Sequence, residues 1–208
     1  MSHRPRFVAG ARSLAAAMLL LSLLDACYSK RVTRIEPSAV TDLSGRWNDT
    51  DSRLVANQLV EQTLAAGWAR HYTDLHGGEA PTIIVGTFAN RTMEHIQVDI
   101  FVKDIEKALI TTGVARVVAS SSEREELRAE RKDQQQYSRA DTRTRPGQEV
   151  GARYALTGEL QAIEDVDGRE RVIFYQVDAT LVDLETNTKV WVGQHRIKKY
   201  VERARFGL

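Results

Sequence analysis

The fold is decided by residues 81–120, PTIIVGTFANRTMEHIQVDIFVKDIEKALITTGVARVVAS. The apolar run at residues 83–88 follows Pro81 and predicts a buried β-strand. A helix is predicted next, from apolar or small residues that recur with a 3.6-residue period: Val98, Phe101, Val102, Ile105, Ala108, Leu109 and Thr112. Gly113 can adopt the left-handed conformation that ends a helix, and a short strand is predicted at residues 114–119. The stretch therefore predicts a strand–helix–strand unit.

From residue 154 onward, the apolar pattern changes to the two-residue period of β-strands. Strands are predicted at residues 154–163, 171–184 and 189–200, and Asp167-Gly168 is typical of a hairpin turn. One face of the middle strand is the more apolar: Ile173, Tyr175, Val177, Ala179, Leu181 and Asp183. Antiparallel strands joined to a strand–helix–strand unit predict an α/β (α+β) fold, a small mixed β-sheet with flanking helices.

Composition favours a single globular domain without affinity for nucleic acid. The 208 residues are 42% hydrophobic and 27% charged, which is ordinary for a soluble domain. The net charge of +1 includes a net +2 from residues 1–26, so the remainder of the chain carries −1. A near-neutral domain gives no reason to predict a nucleic-acid partner.

The N-terminus has the three parts of a bacterial lipoprotein signal peptide. Arginines at positions 4, 6 and 12 precede the apolar run LAAAMLLLSLL at residues 14–24, which is too short to cross a bilayer. The segment Leu24-Asp25-Ala26-Cys27 resembles a lipobox, although Asp25 departs from the small or apolar residues usual there. Cys27, the sole cysteine, is thus the predicted lipid-attachment site. The alternative is an ordinary signal peptide or an uncleaved anchor.

The predicted organisation has four parts. Residues 1–26 form the signal peptide, residues 27–47 the lipidated cysteine and a short linker, residues 48–203 the globular domain, and residues 204–208 a tail. Tyr28 stands where inner-membrane lipoproteins usually have Asp, so the resemblance to sorted lipoproteins implies the periplasmic face of the outer membrane. The membrane is thus an expected partner, through the acyl chains.

No pattern of a catalytic, metal or cofactor site is found. The motifs G-x-S-x-G and H-E-x-x-H are absent, and Gly86 does not belong to a G-x-G-x-x-G. His71 and His76 suggest a metal site, but their spacing does not suit a helical ligand pair, and we interpret them as solvated loop histidines. We therefore expect no enzymatic activity, no metal and no cofactor.

Two polar segments are candidate partner surfaces. The loop after the first strand is interpreted as one that caps the helix and contacts a partner: Asn90, Arg91, Thr92, Met93, Glu94 and His95. An acid/base pair of Glu94 and His95 is the alternative, but adjacent residues rarely converge on one substrate atom. Residues 123–136 predict a charged helix, which is either a solvated face or partly mobile lid, or a protein-docking arm. Ser120 with Glu123, or Ser122 with Glu125, fits a capping box at its start.

Several phrases resemble the LpoB family, outer-membrane lipoprotein activators of penicillin-binding proteins. They are residues 40–52 (VTDLSGRWNDTDS), 90–95 (NRTMEH), 117–120 (VVAS), 124–128 (REELR), 156–158 (LTG), 174–177 (FYQV), 185–187 (ETN) and 189–191 (KVW). The resemblance implies a fold similar to the N-terminal domain of TolB. It also implies a non-enzymatic protein that binds a small non-catalytic domain of a bifunctional penicillin-binding protein and stimulates peptidoglycan synthesis.

The tether departs from the family pattern. The best-known members have a long, proline-rich linker, whereas residues 28–47 contain one proline and extend at most about 70 Å. An alternative function is therefore a structural or assembly lipoprotein of the outer membrane, related in fold to CsgG, that does not activate a synthase. The oligomeric state is left open by the sequence.

Overall fold

A computed structural model of the chain describes residues 31–203. The predicted signal peptide, the predicted lipid site Cys27 and the tail at residues 204–208 lie outside the described residues. The chain divides into two compact units, which meet between Ala39 and Val40. The described part of the first unit holds one turn, closed by a 2.9 Å hydrogen bond from the Ala39 amide to the Glu36 carbonyl.

Four helices and five strands make up the described part of the second unit. They are α1 (Asp49–Ala65), α2 (Trp68–Leu75), β1 (Thr82–Asn90), α3 (Asp99–Thr112), β2 (Arg116–Val118), α4 (Ser121–Tyr137), β3 (Tyr154–Asp167), β4 (Glu170–Asp183) and β5 (Lys189–Glu202). The strands form one sheet in the order β2-β1-β3-β4-β5. β1 is parallel to β2 and β3, whereas β3, β4 and β5 are antiparallel. The predicted α+β fold with a mixed sheet is confirmed; the similarity to TolB stays a prediction.

The strand–helix–strand unit forms as predicted. α3 ends at Gly113, whose φ of 66° lies in the left-handed region that favours glycine. The helix buries the predicted apolar stripe through Phe101, Val102, Ile105 and Leu109. Full burial of each of the large side chains among these stabilises the fold by about 1.5–3 kcal/mol. Since α3 also contacts α1, β1 and β2, the unit is the centre of the core.

The antiparallel half of the sheet is longer than predicted at one end. All six residues of the predicted apolar face of β4 are buried. β3, however, continues past residue 163 to Asp167, which pairs with Glu170. The two residues of the hairpin turn are therefore Gly168 and Arg169 rather than Asp167-Gly168, and Gly168 has the positive φ, 57°.

α4 is a solvated helix held by polar contacts. None of its residues is buried, so the predicted charged helix is confirmed, while the choice between a solvated face and a docking arm stays a prediction. Of the two possible capping boxes, the structure uses Ser120 with Glu123. Glu149 anchors the middle of the helix, because its carboxylate accepts hydrogen bonds from Arg128 at 2.8 and 3.0 Å and from Arg131 at 2.7 Å.

Both histidines are exposed, as predicted, but His71 is helical, so its predicted place in a loop is wrong. His71 lies in α2, and His76 directly follows this helix and stacks on Tyr72 with ring centroids 3.8 Å apart. Gly67 allows this second helix to start because its φ of 73° reverses the chain after α1. Within residues 31–203, no group of three or more potential metal ligands is found. No helix in that range is long and apolar enough to cross a membrane.

Candidate partner-binding surface

The loop that follows β1, residues 90–95, alternates between solvent and the domain. The side chains of Arg91, Met93 and His95 are exposed, and Met93 is fully so at 103%. Thr92 and Glu94, between them, are half-buried. This docking loop therefore presents three of its six predicted contact residues to solvent through their side chains.

Asn90 holds the docking loop in one conformation. Its Oδ1 accepts hydrogen bonds from the amide and the hydroxyl of Thr92 at 2.9 and 2.8 Å, and its Nδ2 donates to the Glu94 carbonyl at 2.8 Å. The Arg91 amide donates to the Leu160 carbonyl of β3 at 2.8 Å. Local bonds of this kind are typical of turns that begin at Asn. The loop is thus bound to itself and to the sheet.

Glu94 binds the interior of the domain instead of solvent. Its Oε1 accepts a 2.5 Å hydrogen bond from the Tyr175 hydroxyl, and its Oε2 accepts one from the Trp47 amide at 3.2 Å. Burial, followed by the hydrogen bond to Glu94, raises the pKa of Tyr175. His95 bonds to Gln97 at 2.8 Å between the two Nε2 atoms. Glu94 and His95 therefore have separate partners, and the structure does not bring them together as an acid/base pair.

Residues 41–48 form an N-terminal strap that packs on the domain. The ring of Trp47 lies 5.3 Å from that of Tyr175 and 6.3 Å from that of Phe101, measured between centroids. Its Nε1 donates to the Ser52 hydroxyl at 2.9 Å. Residues 41–47 belong to the predicted linker, and the tryptophan at position 47, just before a helix cap, is the local signal for their packing.

The strap is also held by charge. Nζ of Lys199 lies 2.7 Å from Asp42 Oδ1 and 2.6 Å from Asp51 Oδ2, and it donates to the Arg46 carbonyl at 3.0 Å. The Asp51 side chain is only 4% exposed. Burial by itself lowers the pKa of Lys199, but the hydrogen bonds to both carboxylates outweigh it, so the pKa is raised. Lys199 therefore joins the strap, the start of α1 and β5.

A cavity of about 360 Å³ lies between β1, α3 and the start of α4, and both apolar and charged side chains line it. Its charged groups bind one another, because Lys103 Nζ lies 2.7 Å from Glu106 and 3.0 Å from Glu123. The hydrogen bonds from the Ser120 amide and from Lys103 lower the pKa of Glu123 to about 2. The hydrogen bonds to Glu106 and Glu123 in turn raise the pKa of Lys103. These contacts stabilise the joint between α3 and α4.

The geometry describes a small α+β domain with a rigid, solvent-facing loop. The family model described as peptidoglycan-synthase activator LpoB matches residues 51–197. Because this match covers more than half of the chain, the protein belongs to the LpoB family. Comparison with curated protein sequences finds no match.

The solved structures that match parts of this chain include two LpoB domains. The LpoB C-terminal domain of Salmonella enterica is 17% identical, with a TM-score of 0.31 over 64% of this chain and 93% of that one. The corresponding Escherichia coli domain is 15% identical, with a TM-score of 0.28 over 66% and 98%. Lipoprotein GNA1162 of Neisseria meningitidis is 13% identical, with a TM-score of 0.39 over 61% and 88%. At these TM-scores, the family assignment rests on the sequence match.

Proposed function

We propose that this protein is a non-enzymatic envelope lipoprotein that binds a bifunctional penicillin-binding protein and stimulates its peptidoglycan synthesis. The observation that carries the proposal is the LpoB match, which extends from the first turn of α1 to β5. LpoB members are regulatory activators rather than enzymes. The protein therefore acts by binding, and its effect is exerted on the catalytic sites of the partner.

The docking loop is proposed as the contact. Its backbone is already held by Asn90, so binding orders little new structure and loses little conformational entropy. Met93 offers an unbranched apolar side chain that adapts to a pocket. Arg91 and His95 flank it, and Arg91 lies 4.0 Å from Glu159, at the outer limit of an ion pair. The complementary surface is an apolar pocket with an acidic rim.

Cys27 is proposed as the site of lipid attachment, at the periplasmic face of the outer membrane. Because the strap is bound to the domain, the tether is reduced to residues 28–40. This segment extends at most about 45 Å. The partner's docking domain must therefore lie no farther from the membrane surface than the length of this tether plus the diameter of the globular domain that the tether carries.

Binding and stimulation are tested together with residues 40–208. This unit contains every described helix and strand and has its own hydrophobic core, so it folds without the tether. It is added to purified bifunctional penicillin-binding protein, and both co-elution and the rate of glycan polymerisation are measured. We expect co-elution and faster polymerisation. The absence of both effects at micromolar protein would show that the proposal is wrong.

A matched pair of variants tests the docking loop. Met93→Ala removes the fully exposed side chain and should weaken binding about tenfold, the loss typical of a central contact. Ile110→Ala is the control, because Ile110 is also exposed and apolar but lies near the other end of α3. We expect the control to bind like the wild type. Equal binding by both variants rules out Met93 as a contact.

Lipid attachment is tested separately. Cells that express the full chain are grown with labelled fatty acid, and the protein is compared with Cys27→Ala. We expect label only in the wild type, since Cys27 is the sole thiol of the chain. Label retained by the variant excludes this site.

A further inference from the structure

β5 is an outer strand of the sheet, and α1 binds its outer edge at Gln194. The Gln62 side chain of α1 binds the backbone of Gln194 in both directions: Nε2 donates to the carbonyl at 2.9 Å, and Oε1 accepts from the amide at 3.0 Å. Gln194 therefore directs its amide and carbonyl away from β4. Backbone amides and carbonyls point to alternate sides of a strand from one residue to the next. Every second residue after Gln194 therefore also directs these groups away from β4: Arg196, Lys198, Tyr200 and Glu202.

Among residues 31–203, no backbone of another element pairs with the outer edge beyond Gln194, although the strap packs on the Lys199 and Val201 side chains. We call residues 196–202 the edge segment. Within the sheet, the edge segment pairs only with β4. No backbone hydrogen bond from another described element reaches its four outward-facing residues. The side chains of Arg196, Lys198, Tyr200 and Glu202 are all exposed. The segment is therefore a free strand edge, which can pair with another chain.

The charges beside the edge segment are unbalanced. Asp167, Glu170 and Glu202 lie directly opposite one another across β3, β4 and β5 and form an acidic row. None of the three has an ion pair within 4 Å among the described residues. Arg196 and Lys198, which lie on the same sheet face as the acidic row, also have no ion pair within 4 Å among the described residues. Like charges directly opposite each other destabilise a sheet, so the acidic row favours an incoming cation.

We propose that the edge segment pairs with the edge segment of a second copy of this chain, antiparallel and with two-fold symmetry about Lys199. Such an interface uses the same residues on both sides. Arg196 then lies opposite Glu202 of the second copy and beside its acidic row, and Lys198 lies opposite Tyr200. On the other sheet face, Ile197 meets Val201, and the two Lys199 side chains approach with their charges already bound by Asp42 and Asp51.

Neighbouring registers are less favourable. Pairing centred on Lys198 places two unpaired lysines opposite each other and requires the backbone of Gln194, which Gln62 occupies. Pairing centred on Tyr200 places Ile197 opposite an arginine, Arg203, and leaves Arg196 without a described partner. Only the register about Lys199 uses all four outward-facing residues. The dimer carries two docking loops and two tethers, which strengthens attachment to a shared membrane.

The experiment measures the mass of residues 40–208 by sedimentation as a function of concentration. We expect a monomer–dimer equilibrium. Arg196→Glu or Glu202→Arg alone should raise the dimer dissociation constant about tenfold or more, because each creates two like-charge pairs. The double variant Arg196→Glu/Glu202→Arg should return the dimer dissociation constant to the wild-type value, because the opposite charges face each other again. Lys107→Glu, an exposed charge reversal on α3, is the control and should dimerise like the wild type.

Three results overturn the inference. One is a monomer at every concentration up to the millimolar range. Another is an assembly larger than a dimer, which indicates head-to-tail pairing of β5 with the other outer strand, β2. The third is a double variant that remains monomeric, because the charges then do not face each other. The readout contains no synthase, so failure here leaves the proposed function unaffected, and failure of synthase binding leaves this inference unaffected.

Discussion

The carboxylate of Glu94, in the docking loop, accepts a 2.5 Å hydrogen bond from the hydroxyl of Tyr175, a fully buried residue of β4. The same carboxylate accepts a bond from the Trp47 amide in the strap. One side chain therefore joins the loop, the sheet and the strap. This contact ties a loop with three exposed side chains to the interior of the domain.

Tyr175→Phe should destabilise the domain without a change in its packing volume. The variant leaves one Glu94 oxygen without its donor, and an unsatisfied, partly buried polar group costs about 1–3 kcal/mol. The measurement is the free energy of unfolding in urea. Hydrogen exchange of the Thr92 and Glu94 amides should increase in the same variant. Exchange at wild-type rates shows that the loop does not depend on this bond.

Lys199→Met should be more destabilising than a typical surface substitution. It leaves Asp51, whose side chain is 4% exposed, and Asp42 without their cation, and removal of one partner from a buried ion pair costs about 3–5 kcal/mol. Lys198→Met is the control, because Lys198 is exposed and has no ion pair among the described residues. Urea unfolding at one protein concentration compares the two. Similar free energies of unfolding for the two variants contradict a structural role for Lys199.

Glu123 should make stability fall in acid. Its folded pKa of about 2 lies below the ordinary 4.5, so its contribution is fully present above pH 4.5 and is lost as the pH falls from 4.5 toward 2. Glu123→Gln removes this contribution. Unfolding free energies at pH 7 and pH 3 should therefore differ more in the wild type than in the variant. An equal difference in both proteins shows that the capping box and the bond to Lys103 do not act through the charge of Glu123.

Gly158→Ala should destabilise the sheet. A Cβ at this position of β3 would lie about 2.4 Å from the Asp178 carbonyl oxygen and from the Phe88 ring, so the strands must separate. Such overpacking costs about 1–3 kcal/mol. Gly151→Ala is the control, since a Cβ there meets nothing within 4 Å. Thermal unfolding should separate the two variants; a Gly158→Ala protein as stable as the control contradicts the close approach of Phe88.

Local chemistry made most elements of this fold predictable. The stripe of α3, the left-handed Gly113, the Ser120 capping box and the apolar face of β4 each depend on residues within a few positions of one another. The hairpin turn was predictable to within one residue, because Gly168 has the positive φ but Asp167 stays paired in β3. The mistaken assignment of His71 to a loop had a local cause as well, since the glycine at position 67 ended one helix and also began another.

The sequence by itself determined the fold class, the strand–helix–strand unit, the three C-terminal strands and the resemblance to the family that the family match bears out. Only the tertiary structure decided which strands are neighbours, that Glu94 binds a tyrosine 81 positions away, and that Asp42 binds a lysine 157 positions away. The physical reason is distance along the chain. A hydrogen-bond cap or an apolar period acts between residues close in sequence, whereas a carboxylate is equally compatible with any donor until folding places one beside it.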